Sequence, residues 1–235
     1  GSSVCAAKVR LALVEKDVAW KGHYLDILRG DQHKPEYLKL NPKGVVPTLI
    51  HNGQVVRESS VICEYLDDVF LGIELKPADP LICANMRLWT KLVDEEVHPA
   101  VRPLTYVTTH RHSILKKSPE EVEKHIANDP NPAWRERKRS WIYSGFEAPD
   151  VVAAIHFFDK LLDDMEFALT NSRWLVSDEY TLADMALTPY VNRLEMLSLT
   201  KMWEKRPNVS RWFAEVKSRR SFERAIFEHF PTDSR

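Results

Sequence analysis

Along the first sixteen residues apolar side chains return every three to four positions. Val4, Ala7, Leu11 and Val14 share one stripe, which predicts a helix over 4–16. The pattern then changes. Over 23–27 Tyr24 alternates with polar neighbours before Leu25 and Ile27, which predicts a short strand. Residues 30–40 are polar and loosely helical. Two strand-like runs follow at 47–51 and 54–57, separated by Asn52-Gly53, a dipeptide suited to a tight hairpin turn. Ser59 or Ser60 is placed to cap the next helix, 61–70. The stretch GIELKPADP, with one glycine and two prolines, has no period and reads as a linker. Beyond it helical spacing holds over 81–109, 119–126, 151–170, 181–197 and 209–219, with short helical pieces to 227. Residues 128–150 are charged and proline-containing, and read as irregular, in part helical. The order is a small mixed α/β unit (1–72), a linker (73–80) and an all-helical unit (81–235), without internal repeats.

Composition narrows the function. The net charge of −1 sets 33 basic against 34 acidic side chains, which argues against nucleic acid or a polybasic membrane surface as partner. No apolar run approaches the roughly 20 residues needed to cross a bilayer. Cys5, Cys63 and Cys83 are an odd set without the spacing of a disulfide framework or zinc site, so a reducing cytoplasm fits best.

Three places carry candidate chemistry. Val46-Pro47 enters the first hairpin strand from a loop. A proline there cannot donate to the ladder, and a cis bond would leave the Val46 peptide groups facing outward, open to an added extended peptide. A trans proline opening a strand is the commoner alternative. Glu58-Ser59 ends the second strand where a helix begins. Free N–H groups and the Ser59 hydroxyl suit a carboxylate there, and Glu58 suits an ammonium. The plain alternative is an N-cap beside a surface charge. Ser3 and Cys5 sit at the start of the first helix, where a hydroxyl donor can stabilise a bound thiolate and a cysteine has a lowered pKa. Ser3 as a simple cap and Cys5 as a small buried residue are the alternatives there.

In order, SxCxxKVR, NPxGxVPTL, a strand ending in ES, PADP and YTLADMALTPYVNRLEML resemble the cytosolic glutathione transferases over nearly the whole chain. In the last run Thr181 and Asp184 form a predicted capping box. The resemblance implies a thioredoxin-like α+β domain (βαβ-ββα) that binds glutathione as co-substrate, followed by an all-α domain that holds a hydrophobic electrophile, in a homodimer. It implies that Val46, beside Pro47, pairs with the cysteinyl backbone, that Glu58 and Ser59 hold the γ-glutamyl end, and that His33 and Lys34 hold the glycine carboxylate. Ser3 would hydrogen-bond the glutathione sulfur. S-x-C also resembles zeta-like members and reductive dehalogenases, in which Cys5 would resolve a mixed disulfide. The run through VICEYLxDVF looks closer to bacterial β-aryl ether-cleaving members. The expected chemistry is attack of the thiolate on an aryl ether or haloaromatic. A glutathione- or ligand-carrying protein is the rival, since runs like KVRL also occur in ganglioside-induced differentiation-associated proteins.

The family begins with a β-strand before the serine, whereas only Gly1 and Ser2 precede Ser3, so that strand is expected to be missing from this sequence. Other features carry less. His110 and His112 point to different helix faces, so no metal site is expected. Arg135, Arg137, Lys138 and Arg139 read as a solvated face. Of the aromatic residues Trp89, Tyr106, Trp141 and Tyr143 most are expected in the core. Tyr106, with Arg102, is a candidate for substrate contact.

Overall fold

The computed structural model describes residues 3–27, 29–129 and 131–229. Its first helix, α1 (Val4–Glu15), starts where the Ser3 hydroxyl accepts the Ala6 N–H at 3.3 Å. Ala7, Leu11 and Val14 are buried as the stripe predicts. The strand expected before Ser3 lies outside the described residues. The strand expected at 23–27 is not formed: residues 18–26 have no regular structure and Tyr24 is 73% exposed. Alternation alone did not suffice, because a strand needs a neighbour for its backbone groups and neither described strand pairs with this segment.

A turn of 3₁₀ helix (Asp31–His33) leads into α2 (Pro35–Leu40). The hairpin is β1 (Thr48–His51) against β2 (Gln54–Arg57), antiparallel, with His51 opposite Gln54. Asn52 and Gly53 both have positive φ, 50° and 76°, the backbone of a tight type I′ turn. The Val46-Pro47 bond before β1 is cis. Helix α3 (Ser59–Val69) follows β2 directly and packs on α1.

The rest is helical. Helices α4 (Pro80–Leu92), α5 (His98–Thr105) and α6 (Arg111–Ile114) form one continuous run, joined by wide π turns at Val93–Val97 and Tyr106–His110. Pro103 within α5 has no N–H to offer the preceding turn. After α7 (Pro119–Ala127), residues 132–144 form a full helix, α8 (Pro132–Ser144), within the stretch expected to be irregular and only in part helical. Its polar run offers little apolar stripe. Yet Asn131 caps the Ala133 N–H at 2.9 Å, and Pro132 fits the first helical position. Helices α9 (Pro149–Ala168), α10 (Leu182–Met196), α11 (Pro207–Ser218) and α12 (Arg220–Ala225) complete the domain.

The core runs between the two domains. Helix α1 packs on α10 and α12 as well as on α3, so the N-terminal unit shares its interior with the helical one. Phe158, Tyr190 and Trp212 are almost wholly buried. Each such side chain contributes about 1.5–3 kcal/mol by leaving water. Among the described residues no helix is long and apolar enough to cross a membrane.

Candidate active site

Helix α1 aims its first turn at the helical domain. Ser3 is partly buried, and because its oxygen accepts the Ala6 N–H, its own O–H stays available to donate. Cys5 Sγ lies 3.6 Å from His98 Nδ1 at the start of α5 and 3.8 Å from the Tyr190 hydroxyl on α10. His98 and Tyr190 are themselves 3.1 Å apart. Burial alone would raise the Cys5 thiol. The hydrogen bond and charge of His98, the Lys8 ammonium and the Tyr190 hydroxyl outweigh it and hold the thiol below its ordinary value. Tyr190 is pushed up by burial and then by the Cys5 charge, so it remains a donor at neutral pH. Cys63, fully enclosed, is pushed up to about 12 and stays a thiol.

Lys8 braces this corner. Its ammonium is almost wholly enclosed and donates to Asp94 at 2.8 Å and to Ser60 Oγ at 3.2 Å, which ties α1 to the head of α3 and to the helical domain. With Cys63, Thr90 and α10 side chains it borders a cavity of about 10 Å³, room for one water at most.

The second cluster gathers around the hairpin. Val45 C=O is taken by Tyr37 Oη at 2.7 Å and by Asn41 Nδ2 at 2.9 Å. The next residue, Val46, is partly buried, and its peptide N–H and C=O have no hydrogen-bond partner among the described residues. Glu58 joins β2 to α3 with φ 64° and ψ 116°, a region costly for a residue with a Cβ, by about 1–3 kcal/mol. Such strain is tolerated where it serves a site, and this turn delivers Ser59, buried, to the first position of α3. Lys43 pairs with the Glu58 carboxylate at 2.7 Å, a partner the sequence reading did not single out.

His33 is exposed beside Gly44, which has φ +60°. A Cβ on Gly44 would come within 2.8 Å of His33 Nδ1, so the glycine of NPKG lets the two segments approach. His33 also borders an open cleft of about 470 Å³ whose far wall is formed by His125, Asn128, Asp129 and Lys138. Lys34 is exposed and paired with Asp31 at 2.7 Å.

The two candidates on the long helical run look toward α7 and α8. Arg102 lies over the Trp134 ring at 4.8 Å. Tyr106 packs on Trp141 with centroids 5.2 Å apart and meets His125 Nε2 at 3.2 Å; burial raises its hydroxyl to about 12. His110 packs edge-on against Tyr106. Among the described residues no group of three or more His, Cys, Asp or Glu side chains is gathered as a metal would require.

His98 and Tyr190 were missed from sequence. They stand 93 and 185 residues from Cys5, and no local spacing marks them. The only available signal was Tyr190's place inside the run shared with the transferases.

The chain resembles known proteins along most of its length. The model of the glutathione S-transferase N-terminal domain matches residues 2–69, and that of the C-terminal domain matches 139–220. Protein LigF of Sphingobium sp. (strain NBRC 103272 / SYK-6) is 33% identical over 228 residues, spanning 93% of this chain and 88% of its own. The crystal structure of that beta-etherase covers 97% of this chain and 96% of its own at 31% identity, with a TM-score of 0.80. Tetrachloro-p-hydroquinone reductive dehalogenase of Sphingobium chlorophenolicum is 28% identical over 229 residues, covering 95% of this chain and 92% of its own. The maleylacetoacetate isomerase of Methylobacterium extorquens AM1, solved with malonate and GSH, covers 98% of this chain and 95% of its own at 27% identity, TM-score 0.71. With both domain types matched in order along the chain, this protein belongs to the glutathione S-transferase family.

Proposed function

We propose that the protein activates the glutathione thiol and delivers it to a hydrophobic aryl ether or haloaromatic. The observation that carries this reading is Val46, whose peptide groups lack partners at the place where an added peptide strand is expected to pair. Glutathione pairs there in extended form, with its γ-glutamyl end at Glu58 and Ser59 and its glycine carboxylate toward His33 and Lys34. The free N–H groups at the head of α3 and its partial positive charge favour the γ-glutamyl carboxylate.

Chemistry follows from the Ser3 hydroxyl. A donor to sulfur stabilises thiolate over thiol, so the proton leaves to solvent near neutral pH. The thiolate attacks the electrophilic carbon; a C–S bond forms and the C–O or C–halogen bond breaks, its electron pair leaving on oxygen or halide. An aryloxide then takes a proton from water. The protein's main contributions are proximity and sulfur activation. The test is conjugation of 1-chloro-2,4-dinitrobenzene and of a β-aryl ether. Ser3→Ala is expected to cut turnover by about tenfold to a hundredfold, the size of one charge-assisted hydrogen bond. Tight glutathione binding without turnover would instead favour a carrier.

The Cys5–His98 contact favours a second reading, glutathione-dependent reduction; the dehalogenase relative is named as a reductive enzyme. In that route the Cys5 thiolate attacks the sulfur of a glutathionyl adduct. The S–C bond breaks with its pair on carbon, which takes a proton, and a second glutathione displaces Cys5 and leaves as the disulfide. Mass spectrometry that finds no Cys5–glutathione disulfide under turnover removes this route.

A homodimer is part of the proposal. Leu81 and Leu88, seven residues apart on α4, are 71% and 66% exposed, which supports an apolar partner surface. Light scattering that gives a monomer mass at micromolar concentration would contradict it.

A further inference from the structure

The basic run on α8 and the cation that α5 brings to it behave differently. Each cation of the run has a partner. Arg135 donates to Asp129 C=O at 2.6 Å, Arg137 pairs with Asp150 at 3.5 Å, Lys138 with Asp129 at 2.6 Å and Arg139 with Glu123 at 2.6 Å. Arg102 does not. Its guanidinium is exposed and makes neither a hydrogen bond nor an ion pair among the described residues. What it has is the Trp134 ring at 4.8 Å, which Arg137 also approaches, at 5.2 Å. Two guanidinium groups therefore share one indole, with one carboxylate among the described residues within ion-pair distance of the pair. Stacking holds the planar fork in place while its five N–H donors stay open, a state suited to accepting a planar anion in two-pronged fashion.

Position gives this anion site a purpose. Arg102 follows His98 by one turn of α5, so their Cβ atoms are about 5–6 Å apart on one face of the helix. His98 is the residue that meets Cys5 at the start of α1, where the sulfur chemistry is placed. A benzene ring is of about that reach. A ring with its reacting carbon at the head of α1 can therefore carry a substituent to Arg102.

We propose that Arg102, stacked on Trp134, recognises a carboxylate or phenolate on the electrophile, so that the preferred substrates are anionic aryl compounds. This rests on the transferase reading above and specifies its substrate class. Arg102 is a recognition residue here and takes no part in bond making.

The test uses a matched pair, 4-chloro-3-nitrobenzoate and 4-chloro-3-nitrobenzamide, each with glutathione. The quantity read is the ratio of their kcat/KM values, which cancels damage common to both. Arg102→Met is expected to lower the benzoate-to-benzamide ratio about tenfold or more, and Arg102→Lys to restore part of it, as one charged hydrogen-bonding contact dictates. An unchanged ratio in Arg102→Met overturns the proposal, whatever the loss in absolute rate. The same two compounds are titrated into the protein calorimetrically. Benzoate binding that depends on Arg102 in a protein without turnover keeps the anion site and sinks the transferase reading. Equal affinity for both compounds overturns the anion site and leaves the transferase reading intact.

Discussion

Two polar clusters meet helix α10, and they are built differently. At its start the Asp184 carboxylate is completely enclosed and its acceptor sites are filled. One oxygen takes the Leu175 N–H at 3.0 Å and Trp212 Nε1 at 2.9 Å; the other takes the N–H and hydroxyl of Thr181, both at 3.1 Å. Two turns further on, Tyr190 joins Cys5 and His98 at 3.1–3.8 Å, with groups drawn from three distant segments. The first cluster has nothing left to offer a ligand. The second contains a thiol that is partly exposed, held below its ordinary pKa and loosely contacted. A saturated network fixes the fold, whereas an unsaturated one at a domain junction is where chemistry is available.

The sharpest way to break this comparison is at the saturated end. Asp184→Ala strands four buried donor groups and is expected to cost about 3 kcal/mol or more in stability. Urea unfolding monitored by tryptophan fluorescence measures it, and a loss under about 1 kcal/mol would deny the cluster its structural role. At the other end His98→Gln should hardly move stability but should change titration. Removing the imidazole leaves burial as the dominant influence, so the Cys5 pKa rises and the thiolate fraction at pH 7 falls. The pH profile of Cys5 alkylation by iodoacetamide should then shift to higher pH; an unmoved profile would show that His98 does not act on the thiol. Smallest is Thr181→Ala, which removes the capping hydroxyl but leaves its N–H on Asp184, at about 1 kcal/mol. A much larger loss would mean that the hydroxyl, rather than the shared carboxylate, anchors α10.

What the sequence made legible follows the same division. Local signals worked: Asn52-Gly53 turned the hairpin, Thr181 and Asp184 formed their capping box, and α1 formed where helical spacing placed it. Features that depend on distant partners did not. The alternation at 23–27 found no strand to pair with among the described residues, and α8 formed on a cap and a proline despite a weak apolar face. In the candidate site, short motifs pointed to Val46, Glu58 and Ser59. The positive φ of Glu58, its Lys43 partner, and the meeting of Cys5 with His98 and Tyr190 arise only when segments far apart in the chain are folded together.

Glutathione bound to the protein can be titrated by the ultraviolet absorbance of its thiolate, in wild type and in Ser3→Ala. Sulfur activation by the α1 hydroxyl requires that the bound thiol titrate well below the ordinary thiol value near 8.5, and that the substitution return it toward that value. An identical titration in the two proteins, or no binding of glutathione at millimolar concentration, would contradict it.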